Sequence, residues 1–326
     1  MNEPYPLLLE RRLSRRLWGG SQMADYLGIE DAGGDEPLAE SWQVYEGNEI
    51  RNGEFAGRTL AEVAHATGAW LLGTASLSRY GTKVPLLAKF IDAAKPLSIQ
   101  VHPDDEYARR FEPTTGHLGK AEAWYIISCA PGAQVVWGFQ GEMSEGRVRQ
   151  AVADGDLERY LKRVRVAPGD VIYNPVGTVH AIGAGILLFE IQQASDLTYR
   201  LYDYGRRDAQ GRERELHLEQ ALAVMNYDEG GMPKVMSLDI EVGRRLLVES
   251  EHFGMEAVEP QGRRLRLGTS PASLEILTVT NGRIELGHPT GALELATGTS
   301  VVLPAALGEY RLEGEGQILR CYVPVV

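Results

Sequence analysis

Cysteine is scarce in this chain. Only Cys129 and Cys321 occur among 326 residues, each inside an apolar, strand-like run, which fits two buried, reduced thiols rather than a disulfide framework. Long apolar runs are missing as well. No stretch approaches the roughly 18 uninterrupted apolar residues of a membrane span, and the opening MNEPYPLLLERRLSRRLWGG holds too short an apolar run for a secretory signal. The expectation is a cytoplasmic protein with no membrane partner. Nor is there any excess of positive charge: the formal net charge of −12 argues against nucleic acid and anionic lipid, both of which need a basic face to release counterions. A locally basic pocket for an anionic small molecule stays compatible with that balance.

What is present is ordinary globular composition, 44% apolar and 24% charged, with 37 glycines that suit the many tight turns of an all-β fold. The length exceeds what one hydrophobic core comfortably serves, so one large domain with an appendage, or two domains, is the prior. From Pro4 to about Tyr80 the text is turn-rich, with a helix predicted where Thr59 and Glu62 form a capping box ahead of AEVAHATGAWLL. A sheet is expected to begin at Leu86, in the short apolar runs PLSIQVH, EAWYIIS and AQVVWGF. A polar helical insertion is expected over roughly Ser144 to Arg163, and a second helix over His217 to Tyr227, with strands and turns elsewhere. Residues 168–175 and 297–304 repeat one pattern, a Gly turn opening a short strand that closes at Pro175 or Pro304. Aligned on that step, His180 falls opposite Glu309. This reads as two related β-barrels, only the first equipped for chemistry.

Strand alternation places Leu97, Ile99 and Val101 on one face of PLSIQVH and Ser98, Gln100 and His102 on the other. Glu122 enters a strand too apolar to be solvated on both faces, so its carboxylate needs a partner. His180 is read as ending the Pro-bounded strand before the turn Gly183-Ala184-Gly185. Gln100, His102, Glu122 and His180 together offer an amide oxygen, a carboxylate and two imidazoles, a borderline set suited to Zn²⁺, with iron or manganese as alternatives. The remaining histidines, His65, His117, His217, His252 and His288, are assigned to helix or loop contexts with surface or core roles.

At these residues the chain resembles the type I mannose-6-phosphate isomerases of the short bacterial kind. The resemblance rests on Trp18-Gly19-Gly20, Glu40-Ser41-Trp42, SIQVHPDDEYAR, GKAEAWYII, PGDVIYNPVGTVHAIGAG and EIQQASDLTYRLYDYGR. It implies a mainly β fold of two cupin jelly-roll barrels with short helical insertions: a catalytic zinc-binding unit over 1–235 and a degenerate cupin over 236–326. It also implies one zinc per chain at Gln100, His102, Glu122 and His180, with interconversion of mannose 6-phosphate and fructose 6-phosphate through an enediol. Arg200 matches the family's catalytic arginine, and Lys89 and Ser98 match positions used for the substrate phosphate. Lys120, two residues before Glu122, falls on that ligand's side and is placed to reach the sugar. The proton-transferring base stays open between Lys120, Glu190 and a zinc-bound water, with Asp196 after them. The competing readings are a non-catalytic sugar-phosphate-binding cupin and a metal-dependent cupin oxygenase. Oligomeric state is not legible.

Overall fold

The structure, a computed structural model, describes residues 3–30, 33–207, 211–228 and 231–325. In chain order the earlier strands are β1 (Leu7–Leu8), β2 (Arg12–Gly20), β3 (Leu38–Val44), β4 (Leu86–Ala93), β5 (Ile99–Val101), β6 (Glu122–Cys129), β7 (Gln134–Phe139), β8 (Leu161–Arg165), β9 (Val171–Asn174), β10 (His180–Ile182), β11 (Ile186–Gln193) and β12 (Tyr199–Tyr202). The later ones are β13 (Leu238–Glu241), β14 (Arg244–Glu249), β15 (Gly254–Val258), β16 (Leu265–Gly268), β17 (Glu275–His288), β18 (Gly291–Ala296), β19 (Ser300–Leu303) and β20 (Glu309–Tyr322). The helices are short: α1 (Gln22–Leu27), α2 (Leu60–Thr67), α3 (Ala69–Leu72), α4 (Thr74–Tyr80), α5 (Asp105–Phe111), α6 (Glu145–Ala153) and α7 (Leu218–Val224). None is long and apolar enough to cross a membrane.

A six-stranded antiparallel sheet, β2-β3-β4-β11-β6-β9, faces a five-stranded one, β12-β5-β10-β7-β8. Alternation along the strands explains how. In β4 and β11, Ile91, Ala93, Ile186 and Leu188 turn inward and meet Trp137 and Ile182 of the opposing sheet. Their neighbours Phe90, Phe189 and Ile191 turn outward into a second core, which is shared with α2, α3 and the later strands through Leu247, Phe253, Ile276 and Leu319. The outer face of the five-stranded sheet, with Ile99, Val101 and Leu201, is covered by α6 and α7. The later strands form one nine-stranded antiparallel sheet wrapped around its own core of Leu277, Ile284, Leu312 and Ile318. The first strand belongs to this sheet, since Leu7 and Leu8 pair with Val302 and Val301. The mainly β, two-barrel architecture with short helices is therefore present.

Several local expectations change. The first eighty residues are not merely turns and a helix, because β2 and β3 supply two strands of the six-stranded sheet. The capping box is formed, with Glu62 N donating to Thr59 Oγ1 at 3.2 Å and Thr59 N to Glu62 Oε2 at 2.8 Å. The expected helix over 144–163 stops at Ala153, and Leu161–Arg165 is instead a strand pairing with β7. The helix expected over 217–227 spans only Leu218–Val224. Leu97 packs between the two sheets while Ile99 and Val101 pack outside them, because regular pleating begins only at Ile99. His180 does not end the Pro-bounded strand; β9 stops at Asn174, and His180 opens β10 in the other sheet. Both repeat copies keep their geometry, with Gly169 and Gly298 at φ +87° and +81° before β9 and β19. His180 and Glu309 each open the next strand. Cys321 is buried but Cys129 is only half-buried, and neither forms a disulfide. His288 closes β17 rather than lying in a loop.

Candidate functional site

Two cross-strand rows face each other between the sheets. In the six-stranded sheet, pairing aligns Trp42 of β3 with Lys89 of β4, Lys89 with Glu190 of β11, and Glu190 with Trp124 of β6. In the five-stranded sheet it aligns Arg200 of β12 with Gln100 of β5, Gln100 with His180 of β10, and His180 with Trp137 of β7. Side chains directly opposite in an antiparallel ladder share a face, so each row projects as a unit. Glu122, at the head of β6, pairs with Gln192 and stands one row from Glu190. Lys89, Gln100, Lys120, Glu190 and Arg200 line one cavity of about 280 Å³.

His102, Glu122 and His180 converge so that one ligand atom from each lies within 4.8 Å of the others, all three side chains being buried. The backbone decides which nitrogens face inward. His102 Nδ1 is 2.7 Å from the carbonyl oxygen of Leu197, and His180 Nδ1 is 2.8 Å from that of Thr178. A carbonyl only accepts, so each Nδ1 carries the proton and each Nε2 presents a lone pair. These lone pairs point at a carboxylate: His102 Nε2 lies 3.4 Å from Glu122 Oε2, and His180 Nε2 lies 3.2 Å from Glu122 Oε1. Glu122 Oε1 receives no hydrogen bond there and is left as an orphaned buried acceptor. Gln100 reaches the same point, its amide Nε2 being 3.4 Å from His180 Nε2. Turning the amide by half a rotation brings its oxygen to that position. Acceptors converging in a dry site with their outer nitrogens held by carbonyls form a site that fits a divalent cation. Lys120 is the cation that reaches them now, 2.7 Å from Glu122 Oε2 and 3.1 Å from His102 Nε2. Burial, helped by Lys120, pushes the His102 imidazole down to about 3, which keeps it neutral. Burial alone would raise the Glu122 carboxyl, but Lys120 and the two histidines outweigh it and hold it well below the usual carboxylate range.

The two residues expected at the phosphate, Lys89 and Ser98, line the same cavity but have different partners. Lys89 is buried between two carboxylates, with Nζ 3.2 Å from Glu40 Oε1 and 3.1 Å from Glu190 Oε1. Burial disfavours its charge, yet Glu190 and Glu40 outweigh burial and raise the lysine above its ordinary value. Glu190 is moved up, first by burial and then by the charge of Glu122, despite the opposing pull of Lys89. Its Oε2 accepts a hydrogen bond from Trp124 Nε1 at 2.9 Å. Ser98, by contrast, belongs to the opposite wall, where its Oγ accepts from Arg200 Nε at 3.2 Å. Arg200 Nη1 also donates to the carbonyl of Glu215 at 2.8 Å. Arg214 lines the same wall, and Asp203 behind it is bound by both Arg206 and Arg214. Two guanidinium groups thus share one buried carboxylate behind Arg200 at this end, while at the other end two carboxylates share one ammonium.

Sequence reasoning overlooked Arg16, Glu40, Trp42 and Arg214 as lining residues. The signal for two of them was the alternation in LAESWQV, which puts Glu40 and Trp42 on one face of β3; Trp42 Nε1 donates to Glu40 Oε2 at 3.3 Å. Among the described residues the His102, Glu122 and His180 group is the one found with metal-binding geometry.

Comparison with known proteins meets this geometry from outside. The profile of the phosphomannose isomerase type I catalytic domain matches residues 7–122, which include Lys89, Gln100, His102 and Glu122. That of the mannose-6-phosphate isomerase cupin domain matches residues 245–323. A Bacillus subtilis protein named as a probable mannose-6-phosphate isomerase, GmuF, is 36% identical over 321 residues, 95% of this chain and 96% of its own. The mannose-6-phosphate isomerase ManA of the same organism is 41% identical over 225 residues, 68% of each chain. The crystal structure of the mannose 6-phosphate isomerase from Bacillus subtilis superimposes with a TM-score of 0.86 at 30% identity, covering 97% of this chain and 99% of that one. Relatedness that runs through both barrels, and not through the metal-binding strands alone, makes this chain a member of the type I mannose-6-phosphate isomerase family.

Proposed function

We propose that the chain interconverts mannose 6-phosphate and fructose 6-phosphate with one Zn²⁺ ion held by Gln100, His102, Glu122 and His180. The observation that carries this reading is the convergence of two inward lone-pair nitrogens on the Glu122 carboxylate, His180 Nε2 facing its orphaned Oε1 and His102 Nε2 its Oε2. An ion held there would supply a positive centre that polarises the sugar's carbonyl. Moving the carbonyl from C1 to C2 takes a proton off C2 and returns it to C1 through an enediol, while a second proton passes between the two oxygens. Glu190 is assigned the carbon-bound proton, because burial and the charge of Glu122 raise its carboxyl above the usual carboxylate range and so make it a stronger base than a free carboxylate. Lys89 fixes that carboxylate in place from the adjacent strand. Lys120, beside Glu122, is assigned the proton moving between the oxygens.

Charge balance assigns the phosphate to the arginine wall. A dianion beside Lys89 would meet Glu40 and Glu190 as well, whereas beside Arg200, Ser98 and Arg214 it meets two guanidinium groups and a hydroxyl as donors. Arg200 and Ser98 therefore hold the phosphate in this reading, and Lys89 positions the base. The test is coupled conversion of mannose 6-phosphate to fructose 6-phosphate, with and without chelator and with Zn²⁺ restored. Binding without conversion, or turnover indifferent to chelator, overturns the proposal.

A further inference from the structure

A second cavity, of about 430 Å³, adjoins the one just described, and Arg16, Trp42 and Asp196 line both. Its other walls include Arg12, Arg15, Tyr45 and His117, with Glu46 the further acid besides Asp196. The basic groups come from one strand, β2, whose sequence RLSRRLWGG stands out in a chain of net charge −12. Arg12 and Arg16 are exposed, and neither has a carboxylate within 4.0 Å among the described residues. Arg12 lies 5.7 Å over the ring of Trp42, and Lys89 lies 5.7 Å from the same ring. Arg16 donates to the carbonyl of Arg15 at 2.9 Å, and against burial it adds to the larger effect of Lys89 in lowering the Glu40 carboxyl. Trp42 thus stands between the two cavities, in contact with Lys89 of the inner one and Arg12 of the outer one, while Arg16 lines both.

We propose that this outer compartment is a capture subsite for the phosphate of the incoming sugar, in which Arg12 and Arg16 hold the dianion before it passes Trp42 to the Arg200 wall. The inference rests on the reading that the substrate is a sugar phosphate. An acidic protein repels a dianion at long range, and a basic rim around a low-dielectric cleft reverses that field locally. Such a rim acts on encounter and binding, and salt screens it within a Debye length of about 8–10 Å.

The test compares Arg12→Gln/Arg16→Gln with wild type in steady-state kinetics on mannose 6-phosphate across ionic strength. The expected result is a loss of about tenfold in kcat/KM at roughly 10 mM salt, carried by KM, shrinking to under about twofold near 1 M salt. Arg12→Lys/Arg16→Lys keeps the charge and should restore most of the loss, which repair of a packing defect under Trp42 would not require. Equal kcat/KM and equal salt slopes in wild type and the Gln variant overturn the proposal, as does a fall confined to kcat. Should wild type fail to turn over mannose 6-phosphate, the functional reading fails separately. Calorimetric titration with inorganic phosphate then decides the subsite: weaker binding by the Gln variant supports it, and identical binding overturns it.

Discussion

Glu122 and Glu190 sit one row apart in the same sheet, yet their surroundings drive their protons in opposite directions. Glu122 has Lys120 and two imidazoles around it, whereas Glu190 has Lys89 on one side and the charge of Glu122 on the other. Two carboxyls so separated take different tasks, one as ligand and one as acid or base. Replacing His102 or His180 by Ala should weaken metal binding by at least about 10–100-fold, the range already seen on losing an outer partner of a ligand. Metal content measured by elemental analysis should be unaffected by His252→Ala or His288→Ala, and a second ion lost on those changes would contradict a single centre. Glu190→Gln should lower kcat by roughly 10²–10⁴. Lys89→Met removes the stronger of the two cations, Lys89 and Lys120, that hold Glu190 down, so the acid limb of the kcat/KM profile should move to higher pH. Circular dichroism should accompany it, since unpairing buried carboxylates costs about 3–5 kcal/mol. Arg200→Ala should instead raise KM by about 10–100-fold, the worth of a hydrogen bond to a charged group, with kcat altered less. The reverse pattern, KM for Lys89 and kcat for Arg200, would put the enediol beside Arg200 and the phosphate beside Lys89.

Strand periodicity made half of the site legible. Ser98 and Gln100 share the inner face as the two-residue repeat requires, and Glu122 was readable as a buried acid in need of a partner. The partners themselves were not legible, because they arrive from strands far apart in the chain and in a different sheet. Nothing in residues 168–182 marks the switch by which the chain leaves the six-stranded sheet after Asn174 and enters the five-stranded one at His180. Leu97 escaped for a related reason, lying just before the pleat becomes regular. β10 has three residues, and its position depends on close approach to β7: a Cβ on Gly183 would stand 1.9 Å from the carbonyl oxygen of Gln134. Gly183→Ala should therefore destabilise the fold by about 1–3 kcal/mol in denaturant unfolding and loosen metal binding through displaced His180. A variant with unchanged midpoint and metal affinity would show that β10 is not what fixes the histidine. At α2, Thr59→Ala should cost about 1 kcal/mol, with no effect on KM.

The two barrels differ in chemistry but share a core. Phe90 and Phe189 on the back of the metal-binding sheet lie in one cluster with Leu247, Phe253, Ile276 and Leu319 from the later strands. We therefore expect one calorimetric transition, with equal van't Hoff and calorimetric enthalpies, although all strands of the units proposed at 1–235 and 236–326 except β1 lie in separate sheets. Two resolved transitions would contradict this, as would a stable, metal-binding fragment ending at residue 235. The pairing of Leu7 with Val302 adds a constraint of another kind, one of order in time. A ribosome adding about 5–20 residues per second takes roughly 15–60 s to travel between those two positions. During that interval β1 lacks its partner β19 and is held by the hydrogen bonds of Leu8 with Arg51 and Asn52, so a nascent chain stalled before Ser300 leaves the other edge of this strand open for chaperones to shield.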